Sequence, residues 1–127
     1  MLLNHIGIVN ASEEQAEKFY GEFLGLEKSR EYSVPAELSE QLFRQSSNIK
    51  AVVYGKDGIS FEIFIYPDSV PVSPEIRHVA LFVDDLTSFL DRAVRFQVEH
   101  IIGKTSEKTV HFIKDYSGNM IEVKQKP

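Results

Sequence analysis

An internal repeat is the feature that most constrains the fold of this chain. Residues 77–83 closely resemble residues 4–10, and each run is short, largely apolar and has a histidine at its second position. In both runs a helix-capping residue follows the histidine by seven positions, Ser12 in the first and Asp85 in the second. Such a repetition predicts a chain built from two similar modules.

Both copies predict the same order of elements, a strand, a helix and three further strands. The first helix starts with a capping box from Ser12 to Gln15 and stops at Gly25. Three prolines between residues 67 and 74 exclude regular structure there. We therefore predict a first module over residues 1–66, a linker over 67–74 and a second module over 75–127, together forming one structural domain.

Two glutamates occupy matching places near the ends of the modules. Gly58 precedes Glu62 by four positions, and Gly118 precedes Glu122 by the same number. The neighbours of each glutamate are apolar and must point to the opposite side of the strand, where the helices would cover them. The predicted fold class is α+β: two β-α-β-β-β modules form a strongly curved mixed sheet with the helices on its convex face.

One segment has no counterpart in the second half of the chain. Residues 35–45 predict a short helix with Pro35 in its first turn. This insertion is either a lid or substrate wall, or a surface excursion that covers a sheet edge. Two further histidines, His100 and His111, also lack a counterpart, and we interpret them as structural or rim residues.

Composition excludes several functional classes. The 127 residues carry a net charge of −5 with scattered basic residues, which argues against nucleic-acid binding. The absence of cysteine excludes disulfides, thiolate zinc sites and cysteine nucleophiles. No apolar run approaches the length of a membrane span, and no signal peptide is recognisable. A cytoplasmic location without membrane or nucleic-acid partners is therefore the default expectation.

Four side chains of metal-binding type fall at equivalent places in the two repeats. A lone histidine or glutamate in a strand is seldom a ligand, but one of each per repeat, on one face, indicates a shared site. Unpaired carboxylates in a cavity are costly to desolvate, and a divalent cation removes that cost. The candidate metal ligands are His5, Glu62, His78 and Glu122, and the aromatic residues on the same faces, predicted to line a substrate pocket, are Phe64, Tyr66 and Phe82.

These motifs together resemble the vicinal oxygen chelate superfamily, which includes glyoxalase I, methylmalonyl-CoA epimerase, extradiol dioxygenases, fosfomycin-resistance enzymes and bleomycin-binding proteins. The resemblance rests on the order and spacing of four stretches, residues 5–9, 61–64, 77–83 and 115–122. It implies the paired modules described above. It also implies metal ligands from the first, fourth, fifth and eighth strands, which correspond to the four candidates.

The ligand at the second position separates members of this superfamily, and Glu62 resembles the glutamate of glyoxalase I. The resemblance therefore implies a lyase or isomerase that removes a proton next to a carbonyl and stabilises the enediolate on Ni, Co, Zn, Mn or Fe. Glu122, or else Glu62, would act as the base. It also implies a small-molecule substrate and a homodimer, with the site formed within one chain or across two.

One position departs from the glyoxalase I pattern. Proteins of this type usually carry an arginine four positions after the first histidine, where it holds a glutathione carboxylate; here that residue is Val9. The substrate is therefore not restricted to the glutathione hemithioacetal. The alternatives are a methylmalonyl-CoA epimerase-like enzyme and a non-catalytic protein that binds a small molecule such as an antibiotic.

Overall fold

The computed structural model describes residues 1–68 and 76–127. The chain divides into two compact units, Met1–Val70 and Pro71–Pro127. Most of the predicted linker, residues 69–74, lies outside the described residues. Within the described ranges, no helix has both the length and the apolar character needed to cross a membrane.

The first unit contains one four-stranded mixed sheet in the order β1-β4-β3-β2. β1 pairs in parallel with β4, and the other two pairs are antiparallel. The predicted order of elements is confirmed, with a second helix inserted between β2 and β3. The elements are β1 Ile6–Asn10, α1 Glu13–Ala16, β2 Glu27–Val34, α2 Ala36–Phe43, β3 Ile49–Lys56 and β4 Ile59–Ile65.

The first helix starts and stops where the sequence predicts, but its second half is wider than expected. The Ser12 hydroxyl accepts a hydrogen bond from the Gln15 amide at 3.3 Å, and Gly25 ends the helix with a φ of 70°. Between these points α1 continues as a π-helix over Glu17–Phe23. The wider helix still buries its predicted aromatic residues, Phe19, Tyr20 and Phe23.

The second unit repeats this plan without the inserted helix. Its strands lie in the order β5-β8-β7-β6, with β5 parallel to β8. The Asp85 carboxylate caps the helix by accepting a hydrogen bond from the Ser88 amide at 2.9 Å. The elements are β5 Val79–Val83, α3 Leu86–Arg95, β6 Glu99–Lys104, β7 Thr109–Lys114 and β8 Met120–Gln125.

In each unit the sheet buries one face and places a glutamate on the other. Phe61 and Ile63, which flank Glu62, are fully buried, and the Phe61 ring packs against Tyr20 with ring centroids 5.3 Å apart. Ile121 is likewise fully buried beside Glu122. Because neighbouring residues of a strand point to opposite sides, both glutamates lie on the face away from the flanking apolar core. We call this the glutamate face of each unit.

Candidate metal centre

The first unit brings together His5 and Glu62. In the parallel pairing of β1 with β4, Gly7 lies opposite Glu62, so His5, two residues earlier, lies on the same face. His5 Nε2 is 2.8 Å from Oε2 of the Glu62 carboxylate. The other ring nitrogen, Nδ1, is 2.7 Å from Oδ1 of Asn4, which holds the imidazole orientation. A ring nitrogen and a carboxylate oxygen of this unit therefore face each other.

The second oxygen of Glu62 has a partner that the sequence did not indicate. The hydroxyl of Tyr32 donates a short hydrogen bond to Oε1 of Glu62. Tyr32 lies on the edge strand β2 opposite Ala51 of β3, whose small side chain leaves room for the phenol to reach across to β4. Glu62 is only 5% exposed, so this carboxylate is bonded on both oxygens and nearly closed off from water.

The phenol of Tyr32 stays protonated near neutral pH. Removal of the hydroxyl from water and the hydrogen bond to the negative Glu62 carboxylate raise the pKa of Tyr32 to about 12. Tyr32 therefore remains a hydrogen-bond donor toward Glu62. No sequence motif marks Tyr32; only the register of β2 against β3 makes the contact evident.

The second unit holds the matching pair, His78 and Glu122. Ala80 lies opposite Glu122 in the β5–β8 pairing, and His78 precedes it by two residues. His78 Nε2 is 3.6 Å from Oε2 of Glu122, and Nδ1 is 2.6 Å from the carbonyl oxygen of Ile76. The imidazole also packs edge-on against Phe112, with centroids 5.0 Å apart. A histidine with one nitrogen on a carbonyl and the other on an acid has the orientation typical of a metal ligand.

The two glutamates differ in what holds them. Oε1 of Glu122 is 3.2 Å from the Nζ of Lys124, whose side chain is half exposed, whereas Glu62 is held by the neutral Tyr32. The Glu122 side chain is itself 15% exposed. Exposed ion pairs are weak and their long side chains move easily, so Glu122 is the less constrained of the two carboxylates.

Each unit thus supplies one imidazole nitrogen and one carboxylate, the donor types that Ni, Co, Zn, Mn and Fe accept. Among the described residues, no third histidine, aspartate or glutamate joins either pair to form a group of three. The convergence of His5, Glu62, His78 and Glu122 on one ion stays a prediction. The imidazole and carboxylate donors of each pair are of the types that such an ion binds.

Two of the predicted pocket residues, Phe64 and Tyr66, line a cavity of about 400 Å³ in the first unit. The insertion contributes to the same wall, because Phe43 and Gln45 also line the cavity. Phe82 belongs to the second unit, is 62% exposed and is not one of the lining residues. Its role in a pocket stays a prediction.

The two histidines without counterparts bond to each other. His100 Nε2 lies 2.9 Å from Nδ1 of His111, across β6 and β7 of the second unit. Desolvation and the neighbouring His111 lower the pKa of His100. Their mutual contact agrees with a structural role.

If His5 and Glu62 hold a metal ion, replacing Tyr32 by phenylalanine should weaken its binding without disturbing the fold. The variant removes only the hydroxyl that holds Oε1 of Glu62, and the loss of such a supporting bond typically weakens metal affinity by about 10–100-fold. Isothermal titration of the chelator-treated protein with Mn(II) or Ni(II) measures the effect. Tyr66→Phe is the matched control, since its hydroxyl bonds to Gln45 instead. Equal affinity in both variants would contradict a role for Tyr32.

The chain matches known proteins in sequence pattern and in fold. A family model described as the Glyoxalase/Bleomycin resistance protein/Dioxygenase superfamily matches residues 2–123. No curated protein sequence matches the chain significantly. Among solved structures, a glyoxalase family protein from Enterococcus faecalis is 22% identical, with 95% of this chain and 94% of that chain covered and a TM-score of 0.70.

Two further structures carry more specific names. The trypanothione-dependent glyoxalase I of Leishmania major is 20% identical over 95% of this chain and 84% of that chain, with a TM-score of 0.69. The fosfomycin resistance protein FosX from Listeria monocytogenes, complexed with Mn(II) and sulfate, is 14% identical over 98% of this chain and 90% of that chain, with a TM-score of 0.73. At these identities the likeness establishes the fold alone.

Proposed function

Because the chain belongs to the glyoxalase/bleomycin resistance protein/dioxygenase superfamily, we propose that it is a metal-dependent lyase or isomerase that moves a proton next to a carbonyl, as glyoxalase I does. The observation that carries this proposal is the pairing of one histidine with one largely buried glutamate in each unit. Two carboxylates and two imidazoles suit a divalent ion of the borderline class. FosX, a protein of the same fold, binds Mn(II).

His5, Glu62, His78 and Glu122 would hold the ion. When bound, the ion supplies Lewis acidity, which draws negative charge toward the substrate oxygens and makes the neighbouring carbon more acidic. The protein's own part is then to bind the substrate, to hold its oxygens in place and to move one proton between adjacent carbons.

We assign the proton transfer to Glu122 and the anchoring role to Glu62. Glu62 is bonded to His5 and Tyr32 and is 5% exposed, so it is held in one position. Glu122 is 3.6 Å from His78 and otherwise pairs with the half-exposed Lys124. A base must approach a substrate carbon and leave it again, which suits the less constrained carboxylate.

The substrate need not contain glutathione. Val9 stands where glyoxalase I has the arginine that holds a glutathione carboxylate, and Val9 lines an uncharged cavity. Turnover should therefore be assayed with methylglyoxal and a range of thiols, in parallel with 2-substituted acyl-CoA thioesters, the substrates of an epimerase-like enzyme. Elemental analysis of the purified protein accompanies the assay. We expect near-stoichiometric Ni, Co, Zn, Mn or Fe and turnover that a chelator abolishes. Failure to take up any of these metals would contradict the metal-dependent reaction and favour the alternative of a non-catalytic small-molecule binder.

The homodimer and the cytoplasmic location stay predictions. Solution mass from light scattering tests the first directly, with the expected value being twice the chain mass of 14.5 kDa. A monomeric mass in the presence of bound metal would place the whole site within one chain.

A further inference from the structure

The first unit has an apolar cavity of about 400 Å³, a size that suits a small-molecule group. Its wall combines the sheet with the insertion that the second module lacks. The lining residues are Gly7, Val9, Phe43, Gln45, Ile49, Phe64 and Tyr66.

The cavity lies next to the candidate ligands of this unit, on the same face of the sheet. Gly7 lies opposite Glu62 in the β1–β4 register, and Val9 lies opposite Phe64. All four positions belong to the glutamate face, since they are two residues apart along their strands. A molecule bound near Glu62 therefore reaches the cavity at Val9 and Phe64, the next pair of residues on this face of the sheet.

Among the described residues that line the cavity no side chain is charged, and the polar ones are Gln45 and Tyr66. The Tyr66 hydroxyl donates a hydrogen bond to Oε1 of Gln45 at 2.7 Å, which ties the insertion to the end of β4. A carboxylate, phosphate or ammonium entering this space would lose hydration without gaining an opposite charge. The wall therefore favours an uncharged group.

The sequence keeps this cavity open in the first unit. A Cβ atom on Gly7 would lie 3.3 Å from the Phe64 ring, so any side chain there would crowd that ring. Phe43 adds a second aromatic ring to the wall and packs edge-on against Phe64, with ring centroids 5.6 Å apart. The positions of the second module that match Gly7, Val9, Phe64 and Tyr66 are Ala80, Phe82, Lys124 and Lys126. The two repeats have thus diverged, and only the first has an uncharged set.

We infer that this cavity binds an uncharged aromatic or branched aliphatic group of the substrate. The inference rests on the proposed function, since it takes the cavity as part of the same site. The substrate would then be a carbonyl compound in which the group that enters this cavity is uncharged. A charged glutathione end would not bind there.

Binding of three matched probes to the chelator-treated, full-length protein tests the inference without any assay of turnover. The probes are 1-naphthamide, 1-naphthoate and 1-naphthylmethylamine, which share one ring system and differ in charge, and binding is followed by NMR chemical shifts. We expect the neutral amide to bind at least about tenfold more tightly than either ion, because neither charge finds a partner in the wall. Including the cation separates this effect from simple repulsion of anions by the net charge of −5.

Three variants test whether naphthamide binds in this cavity. Phe43→Ala should weaken naphthamide binding by about tenfold, because it removes one wall of the cavity, whereas Leu42→Ala, its exposed neighbour outside the cavity, should leave it unchanged. Val9→Arg should shift the preference to naphthoate. Equal affinity for all three probes, no binding of naphthamide, or equal effects of the two alanine variants would overturn the inference. Because no turnover is measured, failure of the proposed chemistry would appear separately.

Discussion

Glu122→Gln should abolish most turnover even when enough metal is added to saturate the site, while the protein keeps its fold. Glutamine has the size of glutamate and retains an oxygen donor, but its amide cannot accept the substrate proton. General base catalysis typically contributes about 10²–10⁴-fold, so we expect kcat to fall by about that factor. The measurement is kcat on the substrate that the assay panel identifies, with metal content determined on the same samples.

The matched control for Glu122 is Glu107→Gln, an exposed glutamate of the same unit. Both variants change the net charge by one unit, so a difference between them reports position rather than charge. If Glu122→Gln retained near-wild-type kcat at full metal occupancy, Glu122 would not be the base.

Glu62→Gln should act at an earlier step, on metal binding itself. Glu62 accepts a hydrogen bond from Tyr32 on one oxygen and faces His5 with the other, 2.8 Å away. An uncharged amide at this position is a weaker donor for a cation. Loss of a supporting hydrogen bond lowers affinity by about 10–100-fold, and replacement of a ligand should cost at least about 100-fold. Titration of the chelator-treated protein with Mn(II) or Ni(II) gives this ratio directly.

Glu27→Gln provides the comparison for Glu62, because Glu27 is an exposed glutamate at the start of β2 in the same unit. Circular dichroism should show unchanged folds for both variants. Wild-type metal affinity in Glu62→Gln would remove Glu62 from the ligand set. The metal affinity of Glu62→Gln and the kcat of Glu122→Gln together test whether Glu62 anchors the metal while Glu122 transfers the proton.

Much of the fold follows from local sequence signals. Ser12, Gly25 and Asp85 mark helix ends because capping bonds and a left-handed glycine are local features, and the structure has them at these positions. Strand faces were also predictable, since alternation along β4 separates Glu62 from its buried neighbours Phe61 and Ile63. The π-helical continuation of α1 was not predicted, because its apolar spacing does not distinguish it from an ordinary helix.

The candidate site was predictable only in part. The repeat led to His5, Glu62, His78 and Glu122, and within each unit the predicted histidine and glutamate face each other. The contact of Tyr32 with Glu62 was missed, because these residues lie 30 positions apart and meet across an intervening strand. No periodicity within one strand reveals a neighbour two strands away.

The sequence by itself determined the repeated modules, the helix ends and the four residues of metal-binding type, because each depends on spacing along the chain. Only the tertiary structure decided that Tyr32 holds Glu62, that Lys124 pairs with Glu122, and that the insertion helps to enclose an uncharged cavity. Those contacts depend on strand register and on packing between distant segments. Register is set by the whole sheet and cannot be derived from any single stretch of residues.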